Sequence, residues 1–68
     1  MEKIPVKLDD VLNVRVEFEG EKGDGAIKIK GFVIFIPEAK VGERVKIKIS
    51  RVLRNFAFAE IIETHNKR

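Results

Sequence analysis

Cysteine, tryptophan and tyrosine are absent from the 68-residue sequence, which has a single histidine. The lack of cysteine excludes a disulfide scaffold, and no His, Asp and Glu residues cluster at the spacing of metal ligands, so packing must hold this small domain together. The N-terminus has no export signal, and the longest apolar run, Phe32–Ile36, is far shorter than the roughly 20 residues of a membrane span. We therefore expect one cytoplasmic domain without a membrane role.

Residues suited to catalysis are equally scarce. Ser50, Thr64 and His65 form no recognisable pairing of nucleophile and base, and no glycine-rich phosphate loop precedes a helix. The Gly-Asp-Gly segment at 23–25 resembles a fragment of a calcium loop but lacks the spaced carboxylates that such a loop requires. We expect that the protein is not an enzyme and that it uses no metal ion or cofactor.

Positive charge is concentrated in the later part of the chain. Residues 1–24 carry four basic and seven acidic side chains, whereas residues 25–68 carry ten basic and four acidic ones. The net charge of +3 is by itself that of an ordinary solvated surface. Its uneven distribution favours a polyanionic partner for the second part of the chain.

Five segments have the residue pattern of β-strands. They are Val11–Glu19, Ile27–Lys30, Phe32–Ile36, Arg44–Ser50 and Phe56–Ile62. All but the third, which is apolar on both faces, show a period of two or place one residue type on each face. Phe18 continues the apolar series of Val14 and Val16, so we expect its ring in the core. Glycines between Gly20 and Gly25 supply the first turn.

Five short strands without a helical period predict an all-β protein, and the preferred architecture is a five-stranded OB-like β-barrel, because closure removes the sheet edges. A five-stranded SH3-like barrel would leave the same pattern, and periodicity does not separate the two. The predicted organisation is an irregular N-terminal segment over residues 1–10, a barrel over residues 11–63 and a basic tail over residues 64–68 that frays.

Several blocks of the chain resemble the TRAM domain. They are Gly23–Gly25, Lys30–Pro37, Val41–Val45 and Arg54–Glu60, and the likeness runs from about residue 5 to residue 63. The chain looks particularly like the small stand-alone TRAM proteins of archaea. The resemblance implies an OB-like barrel that binds RNA, with a cold-shock-like RNA chaperone role.

Two positions depart from the pattern of that family. The family usually has an arginine near the position of Lys28, and a large aliphatic residue directly after the Gly-Asp-Gly, where this chain has Ala26 followed by Ile27. Lysine keeps the charge but lacks the planar guanidinium that stacks on bases and grips phosphate with two hydrogen bonds.

Binding of unpaired RNA requires exposed rings for base stacking and cations that follow the phosphates. The candidate RNA-binding residues are Lys28, Lys30, Phe32, Phe35, Lys46, Lys48, Arg51, Arg54, Phe56, Phe58 and His65. Phe32 and Phe35 are three residues apart, so a regular strand places them on opposite faces, and only a bulge would expose both. Phe56 and Phe58 share one face, and the pattern leaves open whether that face is inside or outside.

Each candidate also has a purely structural interpretation. The phenylalanines could fill the core, and the basic residues could simply keep the surface hydrated. Arg51 and Arg54 flank a loop beside an aromatic strand and are the preferred phosphate contacts, because arginine both pairs with phosphate and stacks.

The sequence thus predicts a protein that binds single-stranded RNA with low sequence specificity and acts as an ATP-independent chaperone. We expect a monomer. The alternative is a structural or protein-interaction module that docks on a ribosome or an RNA-modifying enzyme through its apolar third strand.

Overall fold

The computed structural model describes residues 4–20 and 23–65. These residues form six strands: β1 Val11–Arg15, β2 Phe18–Glu19, β3 Gly25–Ile29, β4 Phe32–Ile36, β5 Arg44–Val52 and β6 Phe56–Thr64. No helix long and apolar enough to cross a membrane occurs in this described part of the chain. Residues 66–68 of the predicted tail lie outside it.

The six strands form one sheet in the order β1-β5-β6-β4-β3-β2. Neighbouring strands are antiparallel except β4 and β6, which are parallel. β1 and β2 are consecutive pieces of one bent segment that pairs with β5 at its start and with β3 at its end. The bent segment therefore joins the two edges of the sheet and curls it into a barrel. Counted as one strand, it gives the five-stranded OB-like arrangement predicted from the sequence.

The bend separates β1 from β2 at Val16 and Glu17. The backbone N–H of Val16 donates to the carbonyl of Glu43 (2.9 Å), and that of Glu17 donates to the carbonyl of Ala26 (3.0 Å). The chain thereby leaves the β5 side and joins β3. Val16 stays in the core, but Phe18 beyond the bend is 48% exposed. The prediction that Phe18 fills the core is wrong, because the bend interrupts the alternation on which it was based.

The barrel interior is aliphatic. Its fully buried large side chains are Val16, Ile34, Ile36, Val45, Ile47 and Ile49. Val6, from the segment before β1, is also part of this core. That segment lies along β5, since the Asp9 N–H donates to the Ile49 carbonyl and the Ile49 N–H donates to the Asp10 carbonyl, both at 2.8 Å. No polar or charged side chain is buried among residues 4–20 and 23–65. In this part of the chain, the side chains that could bind a polar ligand therefore lie on the outer surface.

Candidate nucleic-acid interface

Three phenylalanines pack together on the outside of the barrel. Phe35 lies on β4, and Phe56 and Phe58 lie on β6; all three rings are partly exposed. Their centroids are 5.5–5.7 Å apart, with Phe56 edge-on to both other rings and Phe35 tilted by 34° against Phe58. Such edge-to-face pairs are favourable for aromatic rings and hold the cluster in a fixed geometry. We call these three residues the phenylalanine cluster.

The interior of the barrel explains why these rings point outward. Ala57 and Ala59 occupy the inward positions of β6 and are almost completely buried. They lie opposite Ile34 and Ile49 respectively, whose larger side chains are completely buried in the core. The alternation of β6 then requires the phenylalanines to face solvent. The question that the sequence left open is settled in favour of alanines inside and phenylalanines outside.

Two rings of the cluster, Phe35 and Phe58, also belong to a longer row of residues that crosses the outer side of the sheet, and Phe56 lies beside this row. In strand register the row consists of Phe18, Ala26, Phe35, Phe58 and Arg51, on β2, β3, β4, β6 and β5. We call it the aromatic row. A groove of about 290 Å³ lies along it between Phe18 and Phe35, with Lys28 and Val33 also in its lining. The small side chain of Ala26 leaves room for this groove.

Cations stand at both ends of the aromatic row. At one end, the Nζ of Lys28 lies 5.7 Å from the centroid of the Phe18 ring. At the other end, Arg51 is the cross-strand partner of Phe58. Both cations are exposed, so they are available to phosphates that flank bases stacked on the row.

A bulge in β5 determines the position of Arg51. Val45, Ile47 and Ile49 point inward, and strict alternation would turn Arg51 inward as well. The register shifts between Ile49 and Arg51, which places Arg51 opposite Phe58 on the outer face. The Oγ of Ser50, the extra residue, donates to the carbonyl of Phe58 (3.3 Å). Bulges often redirect a side chain in this way.

Two further candidate cations lie in turns that border the row. Lys30 and Gly31 connect β3 to β4 with positive φ values of 52° and 83°, the combination found in tight hairpin turns. Lys30 is therefore presented at the tip of the hairpin. Arg54 is exposed in the turn between β5 and β6, two residues before Phe56.

The remaining basic candidates lie further from the row, and each has a carboxylate neighbour. The Nζ of Lys46 is 3.5 Å from Glu63 Oε1, and the Nζ of Lys48 is 3.8 Å from Asp9 Oδ1. The Nε2 of His65 is 3.6 Å from the same oxygen of Glu63. The structure does not bring these three side chains to the phenylalanine cluster.

Phe32 is the one candidate ring that lies inside the barrel. It is only 8% exposed and belongs to the hydrophobic core. β4 alternates without interruption, so Phe32 and Phe35 face opposite sides as their spacing predicts. Phe32 is therefore not available for stacking and is not a candidate RNA-binding residue in this structure. Phe18 takes its place, although no local signal distinguishes it from the apolar residues that precede it.

No metal site is evident in the part of the chain that the structure describes, where no three His, Cys, Asp or Glu side chains come together. The surface offers stacking faces and positive charge, and these two properties define what it can do chemically.

Comparison with known proteins identifies both longer relatives and a relative of similar length. The chain is 48% identical over 63 residues to a ribosomal RNA large subunit methyltransferase E of Methanosarcina barkeri; the match covers 93% of this chain but only 24% of that protein. It is 46% identical over 59 residues to an uncharacterized protein of Methanocaldococcus jannaschii, with 87% of this chain and 77% of that protein covered. The chain thus spans about a quarter of the methyltransferase and most of the smaller relative.

A solved structure and a family model also match the chain. The solution structure of a conserved protein of Methanococcus maripaludis matches with a TM-score of 0.82 and 39% identity, covering 91% of this chain and 89% of that one. The family model of the TRAM domain matches residues 5–62. The chain therefore belongs to the TRAM-domain family, whose members are in general RNA-binding modules.

Proposed function

We propose that this protein binds single-stranded RNA with low sequence specificity on the aromatic row and acts as an ATP-independent RNA chaperone. The observation that carries the proposal is the register of Phe18, Phe35 and Phe58 on one outer face, ending at Arg51. Each base stacked on an aromatic side chain contributes about 1–3 kcal/mol by alanine substitution. Two or three stacked bases give useful affinity.

The chemistry of the row favours unpaired RNA over a duplex. Phenylalanine stacks on the flat face of a base, and that face is covered by neighbouring bases in a helix. The rings carry no hydrogen-bonding groups, so they do not distinguish one base from another. Lys28, Lys30, Arg51 and Arg54 supply the charge that follows the backbone.

Chaperone activity follows from selective binding to the open form of RNA. A protein that binds unpaired segments and not the helix shifts the equilibrium of weak RNA structure by mass action. No nucleotide hydrolysis is required for this shift. The proposal includes a cytoplasmic location and a monomeric state, both of which the sequence predicts.

The first test compares the affinities of wild type and Phe58→Ala for a labelled oligouridine and for a duplex of the same length. Loss of this ring removes one stacking platform, so we expect oligouridine affinity to fall by about 5- to 150-fold, the equivalent of about 1–3 kcal/mol. Fluorescence anisotropy at a fixed low salt concentration measures it.

The matched control is Ile62→Ala, which removes an exposed apolar side chain on the same strand but away from the row. We expect it to bind like wild type. Equal affinity of wild type for duplex and oligouridine, or equal losses in the two variants, would contradict the proposal.

A second candidate function is docking on a ribosome or on an RNA-modifying enzyme. It is supported by the match to one quarter of a ribosomal RNA methyltransferase, in which the matched region occurs within a longer protein. Under this alternative, Phe56→Ala and Arg54→Ala abolish a complex with the purified partner and leave RNA affinity unchanged. Size exclusion of the mixture distinguishes the two functions.

A further inference from the structure

Two arginines face each other across the β1–β5 pair, away from the aromatic row. Arg15 and Arg44 are cross-strand partners, and both are exposed. The preceding pair, Val14 and Val45, is directed to the core, so the two arginine side chains lie on the same outer face. Like charges directly opposite one another in an antiparallel pair destabilise the sheet. The repulsion lowers the stability of the sheet, so a contribution to stability does not explain why two arginines lie opposite each other.

The two arginines differ from the lysines of β5 in their ion pairs. Within residues 4–20 and 23–65, neither guanidinium forms an ion pair with a carboxylate. Lys46 and Lys48, on the same strand as Arg44, do have such partners. Among the described residues, carboxylates thus form ion pairs with these lysines but not with the arginine pair.

The pair lines an open cleft of about 530 Å³. Its other lining residues are Asn13, Val14, Val45 and His65. The backbone N–H of His65 donates to the carbonyl of Arg44 (2.8 Å), which holds the end of β6 beside the arginine. The cleft therefore combines two guanidinium groups, one amide and one imidazole around an apolar floor, and no phenylalanine lines it.

We propose that Arg15 and Arg44 form a second phosphate-binding site, which takes the sugar-phosphate backbone of a further RNA segment. Guanidinium groups form paired hydrogen bonds with phosphate oxygens, and a bound phosphate removes the repulsion between the two cations. Because the two guanidinium groups dominate the site and no phenylalanine lines it, we expect it to contact the backbone more than the bases. In choosing RNA as the ligand, the inference rests on the proposed function.

The second site is separated from the aromatic row along β5. Arg44 is the first residue of that strand and Arg51 lies near its end. Seven residues of extended strand span about 23 Å. The two sites are therefore different surfaces, and substitution at one leaves the other intact.

The test uses a base-free phosphodiester oligomer, which carries the backbone charge but has nothing to stack. Its affinity is measured by anisotropy between 50 and 200 mM salt for wild type, Arg15→Gln/Arg44→Gln and Lys46→Gln/Lys48→Gln. The two double variants lose the same formal charge, so a difference between them reports direct phosphate contacts. Loss of two contacts lowers the slope of log K against log salt by about 1.4 for a single strand, which is about a sevenfold difference over this salt range.

We expect this reduced slope in the arginine variant and a smaller change in the lysine variant. Amide chemical shifts of residues 13–15, 44–45 and 65 should move when the oligomer is added to wild type. Equal slopes in the two variants, or shifts confined to the aromatic row, would overturn the second site. Failure of the proposed function gives a different result. Wild type would then bind oligouridine no more tightly than the base-free oligomer, regardless of the slope measured for the arginine variant.

Discussion

Ala26 is the smallest side chain of the aromatic row, and its size determines the shape of the row. It lies in register between Phe18 and Phe35, and the groove over it separates the two rings. Ala26 is only 6% exposed, but its register places it on the side of Phe18 and Phe35 and outside the core cluster, so a larger residue would fill the groove. The groove thus allows Phe18 to act together with the phenylalanine cluster.

Ala26→Leu is expected to weaken oligouridine binding by up to the contribution of one stacked base, about 1–3 kcal/mol, because leucine fills the groove. Phe18→Ala should cause a similar loss. If the two residues act through one subsite, the double variant loses little more than either single variant. Anisotropy titrations of the three variants measure this coupling, and fully additive losses would contradict a shared subsite.

Gly25 is required where the bent first strand crosses β3. A Cβ atom at this position would lie 2.7 Å from Val16 Cγ1 and 2.8 Å from Ala39 Cβ, and both neighbours are buried. Contacts of this kind cannot be relieved by a flexible side chain. The glycine is therefore needed for close packing, and no positive φ is involved.

We predict that Gly25→Ala lowers the free energy of unfolding by about 1–3 kcal/mol, the usual cost of overpacking a core. The control is Gly20→Ala, whose Cβ would meet only the Asp24 carbonyl oxygen at 3.7 Å. Urea denaturation followed by circular dichroism compares the two. Similar midpoints for both variants would show that the core accommodates the extra methyl group.

At the scale of the elements, a single strand carries phenylalanines with opposite roles. Phe32 and Phe35 of β4 face the core and the solvent respectively. Phe32→Ala is expected to cost about 3–5 kcal/mol of stability, as for other buried phenylalanines, while Phe35→Ala costs less and weakens RNA binding. Thermal unfolding and anisotropy, measured on both variants, separate these effects; equal melting temperatures would contradict the assignment.

The sequence predicts the straight parts of these elements well. Phe32–Ile36 coincides with β4, and the segments beginning at Arg44 and Phe56 coincide with the starts of β5 and β6. The strand alternation also explains why Phe32 and Phe35 separate. The local sequence pattern does not predict how the sheet closes into a barrel. The bend that exposes Phe18 and the bulge that turns Arg51 outward both depend on pairing with other strands.

At the scale of the whole molecule, the contact between β4 and β6 is short and joins strands that are distant in sequence. β4 and β6 are held by three parallel pairs, Val33 with Phe56, Ile34 with Ala57 and Phe35 with Phe58. Parallel pairing is slightly less stable per residue than antiparallel pairing. The phenylalanine cluster lies directly over this contact and belongs to both strands.

Bound oligouridine should therefore protect the β4–β6 contact selectively. At a ligand concentration 100 times the dissociation constant, linkage stabilises the folded state by about 2.7 kcal/mol. Amide hydrogen exchange should slow most at residues 33–35 and 56–58. A uniform slowing across β1 and β5, or none, would contradict this prediction.

The parallel contact between β4 and β6 lies beneath the surface on which the proposed RNA ligand would stack. An RNA strand stacked on the rings of Phe35 and Phe58 would contact both β4 and β6 and hold the two strands together. The barrel would then resist opening most strongly while its RNA ligand is unpaired.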